Sequence, residues 1–208
     1  LREMNVKYFL ECGRIKPYEI DENAFVENET DTEDVGHLES VFALGNGYLG
    51  LRGTYDERDD AIGETSGMYI NGIFETEPIV HPWYCKGFAE NEEYTVNLCD
   101  WRIIEVFIDG EKACFSNGLT NHRRRLDFER GEIVRTFEYT SRSGKTVKAE
   151  SVRIVNLEHP HSAEIRFSVT AADFDGEVEI HSAVVKNTPI NGKITIVTVG
   201  ESAHGGDF

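Results

Sequence analysis

The sequence of 208 residues is short of positive charge: 21 lysines and arginines stand against 38 aspartates and glutamates, a net charge of −17. Such an acidic chain repels phosphate backbones and anionic membrane surfaces, which argues against nucleic acid and membranes as partners. No stretch approaches the roughly 20 apolar residues that span a bilayer, and the first residues contain no apolar signal core. We therefore expect a cytoplasmic protein.

The sequence also lacks the usual metal-binding patterns. Its four cysteines form no C-x-x-C pair, so neither a zinc ribbon nor a thiol redox motif is indicated; they are Cys12, Cys85, Cys99 and Cys114. Free thiols are expected, although the sequence leaves a disulfide open. His159-Pro160-His161 has the H-x-H spacing, but its central proline predicts a turn rather than a chelating strand. We expect no metal site.

Helical periodicity is scarce, with one modest candidate near residues 19–27, and strand signals dominate. Ile104–Ile108 alternates and is followed by Asp109-Gly110, a strong hairpin signal that predicts a returning strand at Lys112–Phe115. A second hairpin is predicted from Val134–Tyr139 and Thr146–Ile154, and further strands around Ile165–Val169, Val178–Ile180 and Ile194–Val199. The recurrence of strands about every ten residues predicts a mainly β fold with few short helices, an antiparallel sandwich or barrel, as one domain over residues 1–208.

The sequence also contains several runs of charged residues. Three acidic clusters, Glu27–Asp34, Asp56–Asp60 and Glu90–Glu93, could serve acid–base chemistry or calcium binding, but none has the D-x-D-x-D-G spacing. Solvated loop faces are the favoured interpretation. The basic run Arg123–Arg125 is followed at once by acidic residues such as Asp127, and we interpret it as part of a structural salt-bridge cluster.

The segment Gly45-Asn46-Gly47-Tyr48-Leu49-Gly50 matches the G-x-G-x-x-G pattern of dinucleotide-binding proteins. That function requires a strand before the pattern and a helix after it, whose N-terminal amides hold the pyrophosphate. Residues 40–44 could form the strand, but no apolar helical stripe follows Gly50. We favour a tight loop in which the glycines permit unusual backbone conformations and close packing.

The longer stretch from Glu39 to Gly53 resembles the opening signature of glycoside hydrolase family 65. Tyr69–Phe74 is similar to the family's Y-x-x-G-hydrophobic element. The stretch Arg125–Arg135 resembles its R-x-L-D-x-x-x-G-x-x-x-R segment, in the same order and spacing. This family includes maltose, trehalose, kojibiose and nigerose phosphorylases and some α-glucoside hydrolases.

The resemblance implies a large antiparallel N-terminal β-sandwich (super-sandwich), followed in the same polypeptide by a helical linker and a catalytic (α/α)₆ barrel. The barrel would hold the general acid and the site for phosphate or water, so no catalytic residue is assigned to these 208 residues. The chemistry implied is inverting cleavage of an α-glucosidic disaccharide. It requires no cofactor, with inorganic phosphate as co-substrate if the enzyme is a phosphorylase. Family members often form homodimers.

The Gly45–Gly53 segment is the candidate for a supporting role, at the seam with the barrel and the rim of its active site. Asn46, Gly47, Tyr48 and Arg52 are the residues we place there. A buried loop inside the sandwich is the competing interpretation of the same residues. A free-standing carbohydrate-binding module is the alternative function, and continuation of the reading frame into helical sequence would discriminate the two.

Overall fold

The computed structural model describes residues 18–28, 34–65, 67–83 and 86–186, and the backbone of residues 198–202. These residues contain one short α-helix, α1 (Val35–Val41), and two single turns of 3₁₀-helix, at Asp60–Ile62 and Phe115–Asn117. The remaining regular structure is strand. In chain order the strands are β1 (Glu19–Asp21), β2 (Ala24–Glu27), β3 (Leu44–Gly45), β4 (Leu49–Leu51), β5 (Met68–Ile70), β6 (Phe74–Pro78), β7 (Asn91–Thr95), β8 (Cys99–Ile108), β9 (Glu111–Lys112), β10 (Thr120–Asp127), β11 (Glu132–Thr140), β12 (Thr146–Val155), β13 (Ala163–Ala171), β14 (Glu179–Lys186) and β15 (Thr198–Ser202).

The strands form two main antiparallel sheets. One has the order β1-β2-β10-β11-β12-β13, and the other has the order β15-β14-β8-β9. A three-stranded sheet (β3-β4-β5) and the β6–β7 hairpin are smaller additions. The predicted mainly β sandwich with few short helices is confirmed.

The two predicted hairpins form where the turn residues indicate. Asp109 and Gly110 both have positive φ, 52° and 77°, which the tight turn between β8 and β9 requires. The returning strand is shorter than predicted and ends at Lys112, because residues 115–117 wind into a 3₁₀ turn instead. Strands β11 and β12 pair in continuous register from Glu132–Ile154 to Thr140–Thr146, as the second hairpin predicts.

One prediction of secondary structure is wrong, and another lies mostly outside the described residues. The helical candidate at residues 19–27 is wrong: this stretch forms β1 and β2, because Ala24 and Val26 are buried and β2 pairs with β10. The predicted strand Ile194–Val199 lies mostly outside the described residues, although its last two positions belong to β15. The described helix begins only at Val35, in a stretch for which the sequence predicted none.

The apolar core lies between the sheets and thins out toward the middle of the strands. At one end, Val106 and Ile108 of β8 pack with Phe137, Tyr139 and neighbouring side chains of β11 and β12. At the other end, Leu38 and Phe42 pack against Leu126 of β10 and Ile133 of β11. Between these clusters the inward-facing positions of the long sheet carry three arginines, which are Arg124 of β10, Arg135 of β11 and Arg153 of β12.

Candidate functional site

The G-x-G-x-x-G segment is a hairpin in which β3 and β4 are joined by a loop that the side chain of Asn46 organises. Asn46 Oδ1 accepts hydrogen bonds from the backbone nitrogens of Tyr48 (3.0 Å) and Leu49 (2.7 Å). Its Nδ2 donates to the carbonyls of Asn156 (2.6 Å) and Pro160 (3.0 Å). One asparagine therefore both closes the loop and fastens it to the β12–β13 connection.

Gly47 and Tyr48 complete this loop. Gly47 has φ of 87°, a conformation that favours glycine, and its carbonyl accepts a hydrogen bond from Asn71 Nδ2 at 3.1 Å. The Tyr48 ring stacks on His161 with centroids 4.2 Å apart. His161 follows the predicted turn at His159-Pro160, where Ser162 N donates to the His159 carbonyl. Among the described residues after Gly50, the first helical turn is the short 3₁₀ turn at Asp60–Ile62, so the helix that a dinucleotide site requires directly after its glycines is missing.

Arg52 is directed elsewhere, to helix α1. Its Nε and Nη2 both donate to Glu39 Oε2, at 3.0 and 2.8 Å, and Nη2 also reaches the Gly36 carbonyl. The structure thus brings Asn46, Gly47 and Tyr48 together in one loop and places Arg52 in a separate contact. These four residues are only partly buried or exposed, and each is engaged by neighbouring parts of the same chain.

The next residue, Gly53, brings two backbones together. A Cβ at this position would lie 2.6 Å from Cβ of Phe42 and closer still to the Phe42 carbonyl. Gly53 N donates to the Glu39 carbonyl at 2.7 Å, and the Gly53 carbonyl accepts from Arg124. This close approach lets the following segment enter the space between the two main sheets.

That segment, residues 54–57, forms what we call the buried ionic layer with the arginines that face it. Arg135 of β11 donates from Nη1 and Nη2 to the two carboxylate oxygens of Glu57, at 2.5 and 2.7 Å. Arg153 of β12 donates from Nη2 to Asp56 at 2.6 Å. All four residues are at most 3% exposed. Because all four residues are buried, each charge needs a neighbour of opposite sign, since an unpaired charge in such a site is costly.

The layer extends to the neighbouring strands. Arg124 of β10 donates from Nε to Glu27 of β2 at 2.7 Å, and Tyr55 Oη donates to the same carboxylate at 2.7 Å. The Arg124 guanidinium also lies 4.5 Å from the centre of the Tyr55 ring, a cation–π geometry. On the opposing sheet, Arg102 of β8 pairs with Asp100 at 3.0 Å. The backbone nitrogen of Ile104 in β8 donates to the Asp56 carbonyl at 3.0 Å. Both main sheets therefore form hydrogen bonds to the inserted segment.

The pKa values of the ionisable side chains in and beside the buried ionic layer depend on both burial and pairing. Burial alone would raise the pKa of Asp56, but Arg153 and Arg135 lower it to about 2. Burial dominates at Glu64, where it raises the pKa to about 7 despite Arg102, whose Nη2 lies 4.0 Å away. Burial, together with Arg135 and Arg124, lowers the pKa of His122 well below its ordinary value. At neutral pH, Asp56 is therefore charged and Glu64 is near its midpoint.

The acidic clusters of the sequence thus have different environments. The interpretation of Asp56–Asp60 as a solvated face is wrong for Asp56, Glu57 and Asp59, which are buried, and also wrong for Glu27 of the first cluster. Residues 29–33 of that cluster lie outside the described residues. Solvent exposure is confirmed for Glu90–Glu93.

The expected salt-bridge cluster around Arg123–Arg125 forms only in part as predicted. Arg125 does pair with Asp127, at 3.4 Å, and also with Asp21. Arg124 instead pairs with Glu27, which lies 97 residues away in the chain.

Arg102 and Arg153 were not among the residues predicted to matter, and Arg135 was named only as the last arginine of the R-x-L-D-x-x-x-G-x-x-x-R segment. A signal for Arg135 existed: in β11 it occupies an inward position in phase with Ile133, Phe137 and Tyr139. A charged residue at such a position in a strand indicates a buried partner. The identity of that partner could not be read from the pattern, because Asp56 and Glu57 lie almost 80 residues earlier.

A cavity of about 520 Å³ lies beside the β8–β9 and β11–β12 turns, and its lining includes Phe107, Tyr139 and a single carboxylate, Glu111. Within the described ranges, no group of three metal-ligating side chains exists, and no helix is long and apolar enough to cross a membrane.

Fold and site together define a β-sandwich domain whose two sheets are joined by a buried ionic layer, with a shaped hairpin at one end. The family model for the N-terminal domain of glycosyl hydrolase family 65 matches residues 25–204. The chain belongs to this family.

Several curated relatives are phosphorylases. An alpha,alpha-trehalose phosphorylase of Thermoanaerobacter brockii is 35% identical over 170 residues, covering 80% of this chain and 22% of the relative. A kojibiose phosphorylase of Halothermothrix orenii is 30% identical over 193 residues, covering 92% and 22%. The chain therefore spans about a fifth of the length of these relatives.

A solved structure described as a "putative kojibiose phosphorylase from human microbiome" superposes with a TM-score of 0.77 at 24% sequence identity. The match covers 86% of this chain and 24% of the solved one. At this identity the likeness shows the fold alone.

Proposed function

We propose that residues 1–208 are the non-catalytic N-terminal β-sandwich domain of a longer enzyme that cleaves α-glucosidic disaccharides by inverting phosphorolysis or hydrolysis. The observation that carries the proposal is the family match over residues 25–204. It agrees with two relatives that are named as trehalose and kojibiose phosphorylases, of which the aligned region covers only 22%. The partner of this domain is then the (α/α)₆ barrel of the same polypeptide, and the substrate is a carbohydrate.

The distribution of carboxylates supports placing catalysis outside this chain. Inverting cleavage needs a carboxylic acid beside the glycosidic oxygen and a base or phosphate on the opposite face of the sugar. The acids of the buried ionic layer pair with arginines rather than facing an open cavity. Glu111, in the cavity near the turns, already accepts hydrogen bonds from Tyr139 Oη and the backbone nitrogen of Arg142. The general acid is therefore assigned to the barrel, with inorganic phosphate as co-substrate of a phosphorylase and no other cofactor.

The contribution of this domain would come through the Asn46–Tyr48 loop, which we place at the rim of the barrel's active site. The loop is partly exposed, and Asn46 holds it in one shape by four hydrogen bonds. A loop fixed in this way could meet a substrate or a neighbouring domain without an ordering cost. Arg52 would support the same rim indirectly, by holding Glu39 and helix α1.

Tyr48→Ala, introduced into the longer polypeptide, tests the rim. We expect a rise of about tenfold in KM for the disaccharide, equivalent to about 1.4 kcal/mol of lost binding, with little change in unfolding temperature. Steady-state kinetics and thermal unfolding measure both. His161→Ala is the matched control, since it removes the same ring stacking from the other side. Unchanged KM in Tyr48→Ala, or an equal rise in both variants, would contradict a rim role for Tyr48.

Location and assembly complete the proposal. Cys99 and Cys114 are free thiols, which is typical of proteins in reducing compartments, so we place the enzyme in the cytoplasm. A homodimer of the whole enzyme is compatible with this chain, whose large negative charge would keep such contacts away from its acidic faces.

A further inference from the structure

The β6–β7 hairpin carries apolar side chains that the sandwich does not cover. Val80 is 93% exposed, Trp83 66% and Phe88 38%, all in the connection beyond the paired strands, which we call the hairpin tip (residues 79–83 and 86–90). Phe74, on strand β6, is 53% exposed. Exposed clusters of this kind, unlike single apolar residues, mark interaction sites.

The tip is organised rather than loose. Ile79 N donates to the Glu90 carbonyl at 2.9 Å, and His81 Nε2 lies 2.7 Å from the Ala89 carbonyl. The Phe88 ring centre lies 4.9 Å from that of His81 and 5.2 Å from that of Trp83. An aromatic anchor held in place before binding loses little side-chain entropy when it is buried, which is characteristic of the energetic centre of a protein interface.

The ring geometry favours a protein over a sugar as the occupant. The planes of Trp83 and Phe88 are inclined by 59°, so they do not form one flat platform for a sugar ring. Val80 is exposed in the same connection, so the tip presents apolar side chains to solvent, and their complement is an apolar hollow on a partner. Burial of such side chains in a hollow is the usual role of interface anchors.

Charge indicates what surrounds that hollow. From Ile73 to Thr95 the sequence has five glutamates and one lysine. Tyr94 Oη donates to both Glu75 and Glu77, and burial with these two carboxylates raises the pKa of Tyr94 to about 12. A partner with basic residues around an apolar centre complements this surface. A second copy of a chain with net charge −17 does not.

We infer that the tip of the β6–β7 hairpin docks into an apolar hollow with a basic rim on the remaining part of the longer polypeptide. The inference rests on the proposed function, since the matched relatives have about four-fifths of their length beyond the aligned region. It makes the hairpin, rather than the flat faces of the sandwich, the main contact that sets the position of this domain.

Hydroxyl-radical footprinting of the 208-residue chain and of the longer polypeptide tests the inference. Labelling of Trp83 and Phe88 should fall severalfold in the longer polypeptide, while the distant Phe128, 48% exposed, should label equally in both. Equal labelling of Trp83 in both proteins would overturn the inference. It would also be overturned if protection of the 208-residue chain appeared with rising protein concentration, indicating a second copy, or on addition of disaccharide, indicating a sugar site.

Substitution provides the second measurement. Trp83→Ser should leave the unfolding temperature of the 208-residue chain unchanged, because the side chain is mostly exposed, and should lower that of the longer polypeptide. Ile20→Ser is the control, since Ile20 is 56% exposed and lies on β1, an edge strand of the long sheet. Equal effects of the two variants on the longer polypeptide would contradict the docking. Failure of the proposed function is distinguishable, because it would appear as turnover by the 208-residue chain.

Discussion

Replacing Arg135 with methionine is expected to destabilise this domain by about 3–5 kcal/mol. The side chain pairs with Glu57 through two hydrogen bonds and with Asp56 at 3.3 Å, and all three residues are at most 2% exposed. Methionine fills similar space but leaves carboxylates buried without their partner, and removal of one member of a buried ion pair typically has a cost of this size. Urea-induced unfolding of the variant and the parent measures the difference.

Two further variants separate the charge effect from loss of packing. Arg125→Met is the matched control from the neighbouring strand, where the arginine is partly exposed and its partner Asp21 is 56% exposed in its side chain. It should cost far less stability than Arg135→Met, because ion pairs open to solvent contribute little. Adding Glu57→Gln to Arg135→Met should restore part of the lost stability, because the uncompensated charge is removed. If Arg135→Met and Arg125→Met lowered the free energy of unfolding by similar amounts, pairing of charges in the buried ionic layer would not be what stabilises the sandwich.

Replacing Glu64 with glutamine is expected to stabilise the domain at pH 8 by about 2 kcal/mol, and to change little at pH 4. Burial raises the folded-state pKa from 4.5 to about 7. The folded protein therefore binds a proton more tightly than the unfolded chain. The resulting stability is complete below pH 4.5 and is lost as the pH rises through 7. Glutamine mimics the neutral acid and can still accept the hydrogen bond from the backbone nitrogen of Tyr55.

The measurement is the free energy of unfolding at several pH values between 4 and 8, for the parent, Glu64→Gln and the control Glu158→Gln. Each pKa unit is equivalent to about 1.4 kcal/mol, and we expect somewhat less than the full shift because the side chain keeps slight contact with solvent. The difference between Glu64→Gln and the parent should grow with pH, whereas the exposed Glu158 should produce none. Parallel curves for Glu64→Gln and the parent would contradict a neutral, buried Glu64.

The hairpins were predictable because their causes are local. Strict alternation in Ile104–Ile108, followed by two residues that tolerate positive φ, specifies both the strand and its turn. The segment at residues 19–27 was misinterpreted for the opposite reason. Its conformation is decided by pairing of β2 with β10, about 100 residues later, and tertiary pairing overrides a weak local preference.

The candidate loop was recognisable because the G-x-G pattern reports a backbone requirement, which Gly47 indeed meets with positive φ. The role of Asn46 as the fastener of that loop was not predictable, since its partners are carbonyls of Asn156 and Pro160, more than a hundred residues away. The ionic layer was missed for a related reason. Acidic residues near glycines are usually solvated, and Asp56 and Glu57 are stable inside the sandwich because the inward arginines of two distant strands, β11 and β12, pair with them.

Assay of the 208-residue chain alone tests most directly the claim that it is a non-catalytic domain. The chain is incubated with trehalose, kojibiose or maltose, with and without inorganic phosphate, and glucose and glucose 1-phosphate are quantified beside the longer polypeptide. Our account predicts no release above background from the chain and turnover of at least one disaccharide by the longer polypeptide. Sustained release of either product by the folded 208-residue chain would contradict it.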